Sequence, residues 1–212
     1  MFAPQEHEYA VMGGYERAKV GRYLTLAASS ISALLVIGVL AAVNLAKSFA
    51  LNTNVPPVVM SLLSASGVFA GLYWLLNKYA WKWPWINGFL KIPNLAGAWD
   101  CQGQSLNPDG TVAHQWSGEV TIVQKWDKLR IRLKTSQSGS NSVAAALAAD
   151  SIDGFVLLYQ YRNDPKIGEP ELATHSGCAL VTFASDLSSA TAEYFNGRGR
   201  STFGTMTWTK RQ

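Results

Sequence analysis

"KLRIRLKT", residues 128–135, decides how the larger part of this chain is read. Lys128, Arg130, Arg132 and Lys134 alternate with Leu129, Ile131, Leu133 and Thr135 without a break. A strict period of two sends the cations to one face of a β-strand and the apolar residues to the other. One face therefore needs the interior of a sheet, and the other is the solvated side of a half-buried strand.

On either side of this strand the same texture recurs, over about 97–104, 115–124, 154–162, 174–184, 189–196 and 202–210. Turn chemistry separates the segments; Asn196-Gly197 is a hairpin signal because both residues tolerate φ > 0. In "FVLLYQYR", Phe155, Leu157, Tyr159 and Tyr161 share a face. The segment 142–150, "SVAAALAAD", suits a short helix or a strand of small residues beside a cavity, and both readings stay open. Counted as a strand, it brings the total to eight, with short links and no long helix between them. The expected fold of 97–212 is an all-β domain, an eight-stranded up-and-down antiparallel β-barrel, with a two-sheet sandwich as the alternative. Eight strands enclose a space that side chains fill or that holds one small ligand.

The first part of the chain is of another kind. Tyr23–Ala46 carries no charge and makes about 36 Å of helix at 1.5 Å per residue, enough to span a bilayer core of about 30 Å. Val55–Asn77 is a second uncharged run, with Pro56 and Pro57 suited to a first helical turn. A membrane α-helical hairpin of two transmembrane helices, 23–46 and 55–77, is expected. A cleaved signal peptide fits poorly, since Glu6, Glu8 and Glu16 precede the first run and the run is long for that role. Residues 1–22 read as a cytoplasmic N-terminal segment, and 78–96, with Tyr79, Trp81, Trp83 and Trp85, as an aromatic interfacial linker. Arg17, Lys19 and Arg22 before the first span, and Lys78, Lys82 and Lys91 after the second, place both termini in the cytoplasm, with only Lys47 in the loop between. Gly38 and Ala42 in the first span, and Ser64, Gly67 and Gly71 in the second, offer small faces for helix packing within the chain or between protomers.

The net charge of +4 does not mark a DNA- or RNA-binding protein. From Gly97 onward 11 basic residues balance 11 acidic ones, while the 7 basic and 3 acidic residues before it flank the apolar runs. Cys101 and Cys178 have no metal spacing, and His7, His114 and His175 are scattered. No nucleophile elbow, Walker loop or dinucleotide fingerprint occurs, so neither an enzyme nor a metal or other cofactor is expected.

In a meander, alternate connections lie at opposite ends. The end away from the membrane then gathers "SLNPDGTVAHQ", "TSQSGSNS", "RNDPKIGEPELATH" and "NGRGRST". Thr135, Ser136, Ser138, Ser140, Tyr161, Arg162, His175, Arg198 and Arg200 are expected at one rim. Hydroxyls and guanidinium groups donate to phosphate, and aromatic rings stack on bases. The rim suits a small nucleotide better than a fatty acid. A membrane-tethered lipocalin-like carrier of a lipid is the rival reading, and a filled barrel acting as an assembly subunit is another.

Several segments together, "IPNLAGAWDCQG", "VTIVQKWDKLRIRLKTSQSGSNS", "LLYQYRNDP", "THSGCALV" and "YFNGRGRSTFGTMTW", follow the two apolar runs in a fixed order. In this layout the chain resembles the two-transmembrane, β-strand-rich effectors of bacterial CBASS antiphage systems, over nearly its whole length. The resemblance implies a lipocalin-like barrel that binds a cyclic di- or oligonucleotide made by a partner cyclic-oligonucleotide synthase. It further implies a place in the bacterial inner membrane, self-association into oligomers and disruption of that lipid bilayer in the infected cell. Carried onto this chain, the candidate ligand residues are Thr135, Ser138, Tyr161, His175, Tyr194, Arg198 and Arg200.

Overall fold

The two apolar runs fold differently. The computed structural model describes residues 5–51, 54–150, 152, 154–168, 173–197 and 201–211. Helix α1 runs unbroken over Arg17–Ser48. Its large side chains, Leu26, Leu34, Ile37 and Leu45 among them, are exposed on the protein surface. So long an apolar surface is stable where lipid rather than water covers it.

The expected second span, 55–77, is not one helix. It breaks at Leu63–Ser64 into α2, Pro57–Leu62, and α3, Ala65–Lys78. Ser64 is extended and its side chain accepts the Gly67 amide at 3.3 Å, which makes it the N-cap of α3. A side chain at Gly67 would place Cβ 2.3 Å from the Leu62 carbonyl oxygen. In this chain Ser64 and Gly67 therefore build the turn between α2 and α3. Among the described residues, only α1 is long and apolar enough to cross a membrane. α1 packs on α3, and the buried residues of α1 include Ala28 and Ser32, whose hydroxyl donates to the Leu63 carbonyl at 2.5 Å. Gly38, Ala42 and Gly71 are exposed instead, and a Cβ at Gly38 or Gly71 would meet no atom within 4 Å.

Tyr15–Trp83 forms this helical unit; Met1–Gly14 joins Pro84–Gln212 in the other. After a short helix α4, Pro84–Leu90, the second unit is a sheet. Its strands are β1 His7–Met12, β2 Gly97–Leu106, β3 Val112–Gln124, β4 Lys128–Thr135, β5 Ser138–Asp150, β6 Gly154–Pro165, β7 His175–Phe183, β8 Ser189–Asn196 and β9 Phe203–Lys210. The order β1-β4-β3-β2-β9-β8-β7-β6-β5 closes into a barrel. Each of the eight expected segments falls in a strand, and each strand from β2 to β9 pairs antiparallel with its neighbours in the chain. The expected count of eight is one short, and the sheet is not purely up-and-down. The N-terminal segment supplies β1, which pairs antiparallel with β4 and parallel with β5.

Segment 142–150 is strand. A register shift between Ser142 and Ala144 leaves Val143 half-exposed, and the alanines beyond pair with β6 on one side and β1 on the other. In β4, Leu129 and Ile131 are buried while Lys128, Arg132 and Lys134 are exposed, as the period of two requires. Arg130 is half-buried and donates to Asn141 Oδ1 at 2.8 Å.

One end of the barrel is closed. Ile92 and Leu95 are fully buried. Gln124 holds the segment that carries them, accepting the Leu95 amide at 2.8 Å and donating to the Pro93 carbonyl at 3.1 Å. The rings of Trp99, Trp208, Phe183 and Tyr159 pack next to one another with centroids 5.6–6.4 Å apart. Such aromatic pairs contribute about 0.5–1.5 kcal/mol each beyond their burial.

Candidate functional site

The opposite end gathers the connections β2–β3, β4–β5, β6–β7 and β8–β9, and there the barrel holds a cavity of about 480 Å³. That volume lies within the roughly 300–1,000 Å³ typical of small-molecule sites. Its lining is Ser105, His114, Gln115, Trp116, Ser117, Leu133, Thr135, Ser136, Gln137, Ser138, Ser140, Tyr159, Tyr161, Asn163, His175, Tyr194, Asn196, Thr202 and Met206. Among the described residues no Lys, Arg, Asp or Glu lines it. Its polar groups are hydroxyls, side-chain amides, imidazoles and an indole.

Two glycines make room for this lining. Gly103 faces Trp116 across β2–β3, and a Cβ on it would lie 2.2 Å from the indole. Trp116 can therefore fold over Gly103 toward Tyr194, whose ring it meets edge-on at 6.0 Å. Gly177 sits in register between Tyr161 on β6 and Asn196 on β8. A Cβ there would lie 2.5 Å from both the Tyr161 hydroxyl and the Phe195 carbonyl oxygen. The missing side chain lets the Tyr161 phenol cross β7 and donate to Asn196 Oδ1 at 2.8 Å.

The polar atoms of the lining hold one another in place. Asn196 Nδ2 donates to Thr202 Oγ1 at 2.7 Å. Ser105 Oγ and the Tyr194 hydroxyl are 2.9 Å apart, and Trp116 Nε1 donates to that hydroxyl at 3.4 Å. At the β4–β5 turn, Thr135 Oγ1 accepts the Ser138 amide at 3.0 Å, and Asn163 Nδ2 donates to Ser138 Oγ at 3.1 Å. His175 Nδ1 donates to the Ala173 carbonyl at 2.9 Å, which fixes the tautomer of its neutral ring. Burial first, then the neighbouring Tyr161 and Cys101, push the Tyr159 phenol well above its usual value, so it stays a neutral donor.

Of the seven residues expected at a ligand site, Thr135, Ser138, Tyr161, His175 and Tyr194 line this one cavity. Arg198 and Arg200 lie outside the described residues. Arg162, also expected at the rim, is exposed on β6 and pairs with Asp164 at 3.2 Å; alternation turns it away from the side that carries Tyr161 and Asn163. Ser105, Trp116, Asn163, Asn196 and Thr202 were not in the expected set. Parity could have found Asn163, two residues beyond Tyr161, and Asn196, two beyond Tyr194. Trp116 and Ser105 enter through barrel closure and the space over Gly103.

Comparison with known proteins covers both units. Residues 90–210 match the family described as Cap15, cyclic dinucleotide receptor domain. Residues 18–82 match the family described as Cap15, TM helices. CD-NTase-associated protein 15 of Yersinia aleksiciae is 44% identical over 206 residues, which are 97% of this chain and 98% of that protein. With the strands around the cavity inside one match and the long apolar helix inside the other, the chain is a membrane protein that belongs to the Cap15 family.

Proposed function

We propose that this chain is a membrane effector of CBASS antiphage defence whose barrel, lipocalin-like in build, binds a cyclic di- or oligonucleotide in the cavity at its open end. The observation that carries the reading is the cavity itself, about 480 Å³ and lined by hydroxyls, amides and aromatic rings. Neutral donors such as Thr135 and Ser138 suit phosphodiester oxygens, and rings such as Tyr161, Tyr194 and Trp116 suit bases, each stack contributing roughly 1–3 kcal/mol. Arg198 and Arg200 are proposed to add charge-assisted contacts from the β8–β9 connection. His175 is proposed as a further donor. A lipid carrier needs an apolar interior, and among the described residues only Leu133 and Met206 of the lining are aliphatic.

In this reading the helical unit crosses the inner membrane twice, α1 once and α2 with α3 once, and both termini are cytoplasmic. The basic residues flanking the unit support that orientation. Ligand binding promotes self-association, and the exposed faces at Gly38, Ala42 and Gly71 leave room for close helix approach between protomers. Oligomers then disrupt the membrane and stop growth of the infected cell, in response to a cyclic-oligonucleotide synthase. Calorimetry of the full chain in detergent, against a panel of cyclic di- and trinucleotides, tests the first step. Binding of at least one member is expected; heat with none of them, and lipid co-purifying in the cavity, would overturn the reading in favour of the carrier.

A further inference from the structure

Strand β1 occupies a place that a ring of eight strands does not contain. β4 and β5 pair directly over three rungs, Lys134 with Gly139, Leu133 with Ser140 and Arg132 with Asn141. Below Arg132 they part and β1 fills the gap, pairing His7 and Glu8 with β4, and Tyr9 through Met12 with β5. Side chains hold the fork. The Ile131 amide, next along β4, donates to Ser142 Oγ at 2.9 Å. Ser142 Oγ also lies 2.7 Å from His7 Nε2. His7 Nδ1 is 2.9 Å from the Glu8 carbonyl oxygen, which can only accept. Nδ1 of the neutral ring therefore carries the proton, and Nε2 accepts from the Ser142 hydroxyl. Ser142 is 5% exposed; its bond with the Ile131 amide is buried and its bond with His7 part-buried, and losing a partner leaves a buried hydroxyl short of one.

The fork adjoins the cavity. Ser142 is the cross-strand partner of Tyr161, which lines it. Ser140, two residues along β5, and Leu133, just above the fork on β4, line it as well. Tyr161 donates to Asn196, and Asn196 to Thr202. The path from β1 thus runs through Ser142, across its strand pairing with Tyr161, and by side chains on to the β8–β9 connection.

We propose that His7 and Ser142 are positioning residues for the cavity: β1 docked at the fork pre-orders the β4–β5 wall, so that β1 and a ligand stabilise one another. The inference rests on reading the cavity as a cyclic dinucleotide site. Pre-ordering lowers what the ligand must organise on binding. Linkage makes the effect reciprocal, so the ligand holds β1 as much as β1 helps the ligand. Gly13, with φ +72°, keeps the exit from β1 tight on β5, since a Cβ there would lie 2.4 Å from the Ala149 carbonyl oxygen. Occupancy of the cavity thereby reaches the chain segment that leads into α1.

The test uses the full-length protein in detergent, titrated with cyclic di-AMP, cyclic di-GMP and cyclic di-UMP and followed by hydrogen exchange. His7→Ala is expected to weaken the best binder about fivefold, the effect of roughly one net hydrogen bond. His7→Gln keeps an acceptor for Ser142 and is expected to recover most of that loss. In the wild-type chain the amides of β1 exchange more slowly with ligand than without; this arm does not depend on a variant folding. Unchanged affinity in His7→Ala, or β1 exchange indifferent to a bound ligand, overturns the coupling and leaves the cavity reading intact. A wild-type chain that binds none of the three, nor any member of the wider panel of cyclic di- and trinucleotides, overturns both.

Discussion

The two halves of the barrel put the same kinds of side chain to opposite use. At the closed end Trp99, Trp208 and Phe183 are buried against one another. At the open end Trp116, Tyr161 and Tyr194 stand beside a cavity, and each of their polar atoms is hydrogen-bonded. One cluster gains stability from ring packing. The other leaves volume empty, forgoing contacts that would stabilise the fold, and holds its polar groups in fixed directions. The contrast separates stabilising residues from candidate binding residues without reference to any ligand.

The largest effect that could break this contrast lies at the closed end. Trp99→Ala is expected to destabilise the fold by about 3–5 kcal/mol in denaturant unfolding, as for other large-to-small core changes. A loss under about 1 kcal/mol would mean that the ring cluster is not the core. Next comes the glycine that opens the mouth. Gly177→Ala drives a methyl against the Phe195 carbonyl and the Tyr161 phenol, and overpacking of this kind costs about 1–3 kcal/mol. Ligand affinity is expected to fall with it, because Tyr161 must move. Gly139→Ala is the control, since the nearest atom to its Cβ is 3.8 Å away; equal behaviour of the two variants would remove Gly177 from any special role.

Thiol chemistry gives a smaller and cleaner readout. Burial pushes the Cys101 thiol up to about 12, whereas Cys178 is half-exposed. At pH 8 a thiol reagent is expected to label Cys178 alone in the folded chain and both cysteines after denaturation. Rapid native labelling of Cys101 would show that the closed end opens readily. The smallest effect belongs to the outer surface, where Arg211 pairs with Asp100 at 2.6 Å and Glu119 at 2.7 Å. The Arg211 hydrogen bond holds the Asp100 carboxyl below its usual value. A depressed carboxylate contributes stability above its unfolded pKa and loses it as pH falls through the folded one. Arg211→Ala should therefore return the Asp100 titration toward the ordinary range by NMR, with almost no change in Tm at neutral pH, because exposed pairs contribute little.

Much of this was legible in the residues. The alternation in "KLRIRLKT" identified β4 and its buried face, and turn residues bounded the other seven segments. Parity along the meander brought Thr135, Ser138, Tyr161, His175 and Tyr194 together, because alternate connections share an end whatever the barrel's detailed shape. β1 escaped notice because six residues of weak alternation are too short a signal, and its partners on β4 and β5 are over a hundred residues away. The break at Ser64 escaped because hydropathy measures apolarity and not continuity; Ser64 is as acceptable within an apolar run as it is at an N-cap.

The sequence by itself determined an apolar helical region, a strand-rich remainder and the inward parity of most strands, since these follow from local periodicity and charge. Only the tertiary structure decided that the described residues form a ring of nine strands, that Gly103 and Gly177 make the space for Trp116 and Tyr161, and that His7 meets Ser142 at the fork beside the cavity. Those features depend on distances between residues far apart in the chain, and closing the sheet is what sets those distances.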